Sequence, residues 1–127
     1  MEEIVKAADG IGCDLASEVA RTYGELRLRV FGTSMAPSLL PGDLISVRRA
    51  QISEISIGDV ILYSRNARLF AHRVIARTRN SGQPCLITRG DRLRQDDPQV
   101  SSAELLGRVV SVERGLRQVN FSVRIPW

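Results

Sequence analysis

The sequence predicts a mainly β protein that begins with a short helical segment. From Glu25 onward apolar and charged residues alternate with a period of two, as at Leu26, Leu28 and Val30, which is the pattern of a strand with one buried face. Gly-Asp and Ser-Gly pairs, which are typical turn formers, separate successive runs. Further strands are predicted over residues 44–48, 59–63, 69–77, 85–88, 105–113 and 118–125.

Residues 2–23 form the predicted helical part. Apolar residues recur there at helical spacing, at Ile4, Ala8, Ile11, Leu15 and Val19. Asp14 is expected to cap a helix and Gly24 to end it. At 127 residues the chain suits a single domain, in which we expect a helical segment over 1–24 and a β-rich unit over 25–127.

The charge balance favours a solvated positive surface. Eighteen Lys and Arg residues against 14 Asp and Glu residues give a formal net charge of +4. A basic balance can attract nucleic acid or anionic lipid. The arginines are scattered from Arg21 to Arg124 without a dense cluster, and few aromatic residues are present to stack on bases. No nucleic-acid partner is therefore expected.

The cysteine and histidine content limits which disulfides and metal sites the chain can form. Cys13 and Cys85 lie far apart and lack the spacing of a metal site. A disulfide between them is one alternative, but two free buried thiols in a reducing compartment are favoured. Because the chain has one histidine, a zinc site would need carboxylates as well. We expect neither a metal nor a cofactor.

No stretch of the sequence approaches the roughly 18 apolar residues that a membrane-spanning helix needs. The N-terminus carries Glu2, Glu3 and Asp9 where a secretory signal would have a positive region followed by an apolar run. The expected location is cytoplasmic or peripheral to a membrane.

Residues 31–49, FGTSMAPSLLPGDLISVRR, contain the most informative motif. Gly32 precedes the Ser34-Met35 pair, and a Gly-Asp turn then leads into an apolar strand. This order and spacing resemble G-x-S-M-x-P-x-L-x-x-G-D, the nucleophile box of the signal peptidase/LexA group of serine peptidases. The resemblance implies a LexA/signal-peptidase-like fold of coiled antiparallel sheets, with Ser34 as nucleophile.

A serine hydroxyl needs a neighbouring base to take its proton. The sequence offers one lysine, Lys6, and one histidine, His72. Lys6 falls in the predicted helical part, outside the β-core, so a serine–lysine pair is disfavoured. His72 lies in LFAHRVIAR, at the position that resembles the family's base, and the ordinary pKa of histidine already suits general-base chemistry near neutral pH.

The segment TRGDRLRQDD supplies the acid that would orient this histidine, with Asp91, Asp96 and Asp97 as candidates. Histidine-type signal peptidases of archaea and the endoplasmic reticulum share a similar order: S-M, then H-R-V, then [KR]-G-D and another aspartate six residues later. The resemblance therefore implies Asp97 as the orienting acid. Asp91 is a second candidate, with structural support near the site as its alternative role.

The chain departs from the family pattern at two places. Position 32 is glycine, so no hydroxyl precedes Ser34 by two residues; its backbone N–H would stabilise the oxyanion, aided by Thr33. Arg92 and Leu93 replace the asparagines that usually follow [KR]-G-D. Apart from these departures, Met35 is assigned to the core or to an apolar substrate cleft.

The resemblance implies a serine endopeptidase that cleaves a peptide or precursor protein after small residues, as in signal peptide processing. A membrane protein that recruits the chain is an expected further partner. The first alternative is a LexA-like self-cleaving regulator, disfavoured because the Ala-Gly and Cys-Gly dipeptides that such regulators cut are missing. The second is a non-catalytic binding module on the same fold.

Overall fold

The computed structural model of the chain describes residues 5–7 and 13–119, which form a nine-stranded antiparallel sheet and one α-helix. The strands are β1 (Val5–Ala7), β2 (Glu25–Val30), β3 (Leu44–Arg48), β4 (Val60–Arg65), β5 (Arg68–Asn80), β6 (Gln83–Arg89), β7 (Val100–Ser101), β8 (Leu105–Arg114) and β9 (Arg117–Gln118). The helix α1 spans Cys13–Tyr23, and a short 3-10 turn spans Ile52–Glu54. The predicted mainly β class is confirmed.

Strand β5, which contains His72 and Arg73, lies between β4 and β6 in the sheet. Neighbouring strands follow the order β1, β2, β3, β8, β4, β5, β6, β7, and β9 pairs with β8. In this register His72 lies opposite Ile61 of β4, while Arg73 lies opposite both Val60 and Arg89. Because successive side chains of a strand point to opposite faces, His72 and Arg73 enter different surroundings.

Both faces of the sheet are buried over residues 60–63 of β4 and 69–74 of β5. Leu62 and Ala71 belong to the cluster that α1 covers, whereas Ile61 and Phe70 belong to a second cluster on the other face. Burial on both faces explains why β4 shows no alternation of apolar and polar residues. The sheet therefore supplies two apolar surroundings into which polar side chains of β5 can project.

The predicted strands from residue 25 onward correspond to β2, β3, β4, β5, β6 and β8, with small shifts of their ends. The last predicted strand, 118–125, is described only at its start, where β9 spans Arg117–Gln118, and residues 120–127 lie outside the described part. The two-residue strand β7 was not predicted, because two residues show no period.

The N-terminal prediction is wrong in part. Val5–Ala7 is a strand, and Lys6 pairs with Arg29 of β2 rather than lying in a helix. Hydrogen bonds to an adjacent strand edge outweigh the helical spacing of apolar residues here. The helix is confined to Cys13–Tyr23, and residues 8–12 lie outside the described part, as does the side chain of Asp14.

The helix ends where the sequence predicted. Gly24 has a φ of 77°, and its N–H donates to the carbonyl oxygen of Ala20 at 3.0 Å, which is a typical glycine helix end. Among the described residues, no helix is long and apolar enough to span a bilayer. Cys85 is buried and free, as expected, while the side chain of Cys13 lies outside the described part.

Candidate active site

Ser34 lies in the turn over residues 33–39 that follows β2. Within this turn the Ala36 N–H donates to Thr33 O and the Leu39 N–H donates to Met35 O, both at 3.0 Å. The side chains of Met35 and Leu39 are fully buried in the core. They anchor the turn and leave Ser34 half-buried at the mouth of a cleft.

His72 of β5 meets the hydroxyl of Ser34. The distance from Ser34 Oγ to His72 Nε2 is 2.9 Å, so the predicted contact between the two residues is confirmed. The imidazole is 1% exposed and packs beside the stacked rings of Tyr63 and Phe70, with ring centroids 6.5 Å and 6.4 Å away. These aromatic side chains restrict the ring, which keeps Nε2 directed at the hydroxyl.

Asp97 lies behind the imidazole, on the side away from Ser34. Its Oδ2 is 2.6 Å from His72 Nδ1 and also accepts hydrogen bonds from Thr88 Oγ1 at 2.7 Å and Tyr63 OH at 3.3 Å. The Asp97 N–H donates to the Thr88 carbonyl oxygen at 2.8 Å, which fixes the backbone of the loop beside β6. Of the two aspartates left open by the sequence, Asp97 is the one that contacts His72.

The protonation of this group follows from its partners. Burial is the largest influence on Asp97 and opposes ionisation, but the hydrogen bonds from His72, Thr88 and Tyr63 and the attraction of His72 together lower its pKa. Burial raises the pKa of Tyr63, so its phenol stays protonated and donates. In the tautomer that carries its proton on Nδ1, His72 donates to ionised Asp97 and leaves Nε2 to accept from Ser34.

Asp91 pairs with Arg73 and not with His72. Its carboxylate accepts two hydrogen bonds at 2.8 Å from Arg73, through Nε and Nη2, and one at 2.6 Å from the hydroxyl of Ser38. Arg73 also donates to the carbonyl oxygen of Gly58 at 2.7 Å. Both side chains of the ion pair are more than nine-tenths buried. Asp91 therefore ties the turn at 33–39 to β5 and has no contact with His72 among these bonds.

The loop over residues 90–97 is also held against Ser34 through its backbone. The Arg92 N–H donates to the Ser34 carbonyl oxygen at 2.9 Å. A Cβ at Gly90 would lie 2.6 Å from that oxygen and 3.1 Å from Ser34 Cβ. Position 90 therefore requires glycine because the two segments touch, and not because of a left-handed backbone.

A cleft of about 600 Å³ opens over Ser34 and His72, with residues 93–98 as its other wall. Thr33 is exposed beside it and does not line it. Met35 does not line it either: the residue is fully buried, and its Sδ accepts the Asp91 N–H at 3.3 Å. Of the two alternatives for Met35, the structure bears out the core, because apolar burial directs the side chain inward.

Asp96 lies at the rim of this cleft. It pairs with Arg89 across the surface, with Nη2 to Oδ1 at 2.6 Å, and makes no contact with His72 among the described hydrogen bonds. Among the described residues, no three His, Cys, Asp or Glu side chains come close enough to ligate a metal ion.

Four residues of this region were not identified from the sequence: Tyr63, Thr88, Arg73 and Ser38. Arg73 and Thr88 stand next to recognised motif residues, in H-R-V and T-R-G-D, and that adjacency was the available signal. Tyr63 and Ser38 carry no comparable signal, since a strand tyrosine and a turn serine are common.

Comparison with known proteins gives no match to any protein-family model and no significant match to a curated protein.

Proposed function

We propose that this chain is a serine endopeptidase in which Ser34 is the nucleophile, His72 the general base and Asp97 the orienting acid. The observation that supports it most strongly is the unbroken hydrogen-bonded series from Ser34 Oγ to His72 at 2.9 Å and from His72 to Asp97 at 2.6 Å. A hydroxyl at the cleft, a buried imidazole and a buried carboxylate in this order match the requirements of nucleophilic acyl transfer.

In the proposed reaction, Nε2 of His72 removes the hydroxyl proton as Ser34 Oγ attacks the carbonyl carbon of the scissile bond. The tetrahedral intermediate collapses when the imidazolium returns this proton to the leaving amine, which frees the C-terminal product and leaves an acyl group on Ser34. His72 then deprotonates a water molecule that attacks the ester, and the imidazolium returns this proton to Ser34 Oγ as the ester bond breaks and the acid product leaves. Asp97 stabilises the imidazolium in both halves without taking its proton.

The developing oxyanion needs hydrogen-bond donors near Ser34. Among the described residues, the Ser34 N–H has no protein acceptor, so it is the first proposed donor. The hydroxyl of Thr33, exposed beside it, is the second. Gly32 supplies no side-chain donor.

The substrate class follows from the family resemblance of the motifs. We propose a signal-peptidase/LexA-like fold that takes an extended peptide or precursor protein as an added strand and cleaves it after small residues. The mainly antiparallel sheet, with the turn at 33–39 and β5 meeting at the cleft, supports this proposal. Recruitment by a membrane protein belongs to the same proposal.

The test compares two serines of the same turn. Ser34→Ala should lower peptide hydrolysis by about 10⁴-fold or more, because it removes the nucleophile. Ser38→Ala removes a hydroxyl four residues away that contacts Asp91, and it should retain most of the activity. Hydrolysis of a fluorogenic peptide library and unfolding in urea would be measured for both.

A second readout separates the enzyme from a non-catalytic module. An acylating fluorophosphonate probe should label wild-type protein at Ser34, as located by mass spectrometry, and should not label folded His72→Ala protein. Hydrolysis that persists in Ser34→Ala or His72→Ala, or failure of the probe to label the wild type, would reject the proposal.

A further inference from the structure

The cleft contains one guanidinium group that the proposed chemistry does not use. Arg94 lines the cleft together with Ser34 and His72, and its side chain is exposed. Within the described part of the chain it forms neither an ion pair nor a side-chain hydrogen bond. A cation next to the reacting groups without a protein counter-ion is available to a ligand.

The acidic groups around it are already engaged. Asp96 accepts two hydrogen bonds from Arg89, with Nε at 2.9 Å and Nη2 at 2.6 Å, so its charge is compensated on the surface. Asp97 lies behind His72 and accepts bonds from three protein donors. The charge that this wall presents to an incoming chain is therefore positive.

Some exposed arginines elsewhere on the surface differ in this respect. Arg27 pairs with Glu113 and Arg48 pairs with Glu25 across neighbouring strands, each at 3.2 Å. These pairs show that exposed arginines of this protein are often matched by an acid nearby. At the cleft no described acidic residue pairs with Arg94, which leaves its guanidinium open to an acidic group of a ligand.

The uncharged residues of the cleft limit which kind of ligand can present an acidic group to Arg94. Leu93, 42% exposed, and Pro98 give the wall an apolar surface, and Gln95 adds an amide beside it. A peptide fits this combination, since an aliphatic side chain can pack on Leu93 and Pro98 while an acidic one reaches Arg94. A compact anion would leave the apolar surface unused.

We infer that Arg94 is a specificity-determining residue, which selects peptides carrying Asp or Glu within a few residues of the scissile bond. This inference rests on the proposed peptidase function and names its substrate class more narrowly. It concerns ground-state recognition, so it is measured as binding rather than as turnover.

The test uses the full chain carrying Ser34→Ala, which cannot acylate. Its probes are two sets of Ala-rich, fluorescein-labelled decapeptides in which a single Glu, or a single Gln, is moved one position at a time. We expect the best Glu peptide to bind about three- to fivefold more tightly than its Gln counterpart, the size of one exposed ion pair. The difference should shrink as salt is raised.

Two added substitutions assign the effect. Arg94→Gln should abolish the preference for Glu, whereas Arg92→Gln should leave it unchanged, because Arg92 carries the same charge on the same loop outside the cleft lining. Equal affinities for the two peptide sets, a preference that survives Arg94→Gln, or no binding of any peptide would each overturn the inference. Binding with the expected preference, but no hydrolysis by wild-type protein, would instead reject the peptidase proposal.

Discussion

Two neighbouring residues of β5 organise two similar groups with different chemistry. His72 contacts both Ser34 and Asp97, and on the other face of the strand Arg73 donates to Asp91, which also accepts from Ser38. Each group takes a serine from the turn at 33–39 and an aspartate from the segment after β6. The same three segments thus bring together a carboxylate, a basic side chain and a serine hydroxyl at two places.

The two groups differ in their central residue, which is His72 in the first and Arg73 in the second. A histidine can gain and lose a proton near neutral pH, so Ser34, His72 and Asp97 can move one. An arginine stays protonated at any pH that a folded protein meets, so Arg73 and Asp91 form a permanent ion pair. The first group lines the cleft, while the second donates to the Gly58 carbonyl and holds the backbone. The comparison teaches that the identity of the central basic residue, histidine or arginine, decides whether such a group can transfer a proton or only hold the structure together. The aspartate is the same residue type in both groups.

The largest expected effect comes from exchanging each aspartate for its amide. Asp97→Asn should lower kcat by about 10⁴-fold, because an amide no longer holds the Nδ1 proton that keeps Nε2 free to accept from Ser34. Asp91→Asn should instead lower the free energy of unfolding by about 3 kcal/mol, because it leaves Arg73 buried without a counter-charge. Peptide hydrolysis and urea unfolding would be measured on both variants.

The comparison between the two groups fails if the outcomes are exchanged. A well-folded Asp91→Asn protein without activity, alongside an active Asp97→Asn protein, would transfer the orienting role to Asp91.

A smaller effect is expected at the contact between the two segments. Gly90→Ala would place a methyl group 2.6 Å from the Ser34 carbonyl oxygen, so the two segments must move apart and Ser34 is expected to shift. A displacement of about 1 Å at a reacting group lowers kcat by about 100-fold. Gly82→Ala is the control: position 82 has open space around its Cβ and a φ of 80°, so it should cost about 1 kcal/mol of stability without loss of activity. Equal kcat values for the Gly90→Ala and wild-type proteins would show that this contact does not position Ser34.

The smallest effect is on stability in acid. Burial raises the pKa of Asp97, but its hydrogen bonds and the attraction of His72 outweigh this, so the pKa in the folded protein lies below the ordinary 3.8. The stabilisation from this ionised carboxylate is therefore complete above the unfolded-state pKa and is lost as the pH falls through the folded-state pKa. Urea unfolding from pH 6 to pH 3 should show a steeper loss for wild type than for Asp97→Asn. Parallel curves would contradict this role of Asp97.

Much of the fold and the site could be read from the chain alone. Period-two alternation located β2, β3 and β8, and the spacing of Ser34, His72 and Asp97 within recognisable motifs identified the residues that meet at the cleft. Such signals are local, because a strand with one buried face and a motif of fixed spacing are both written in consecutive residues.

Other features depended on which segments come together. Strand β1 exists because β2 offers its edge, Met35 points inward because the core covers it, and a charged Arg73 is buried because Asp91 reaches it from another loop. The sequence by itself determined the residue types and the positions of most strands along the chain. Only the tertiary structure decided which aspartate serves which base, since two carboxylates six residues apart in one loop differ in their partners, and long-range packing selects those partners.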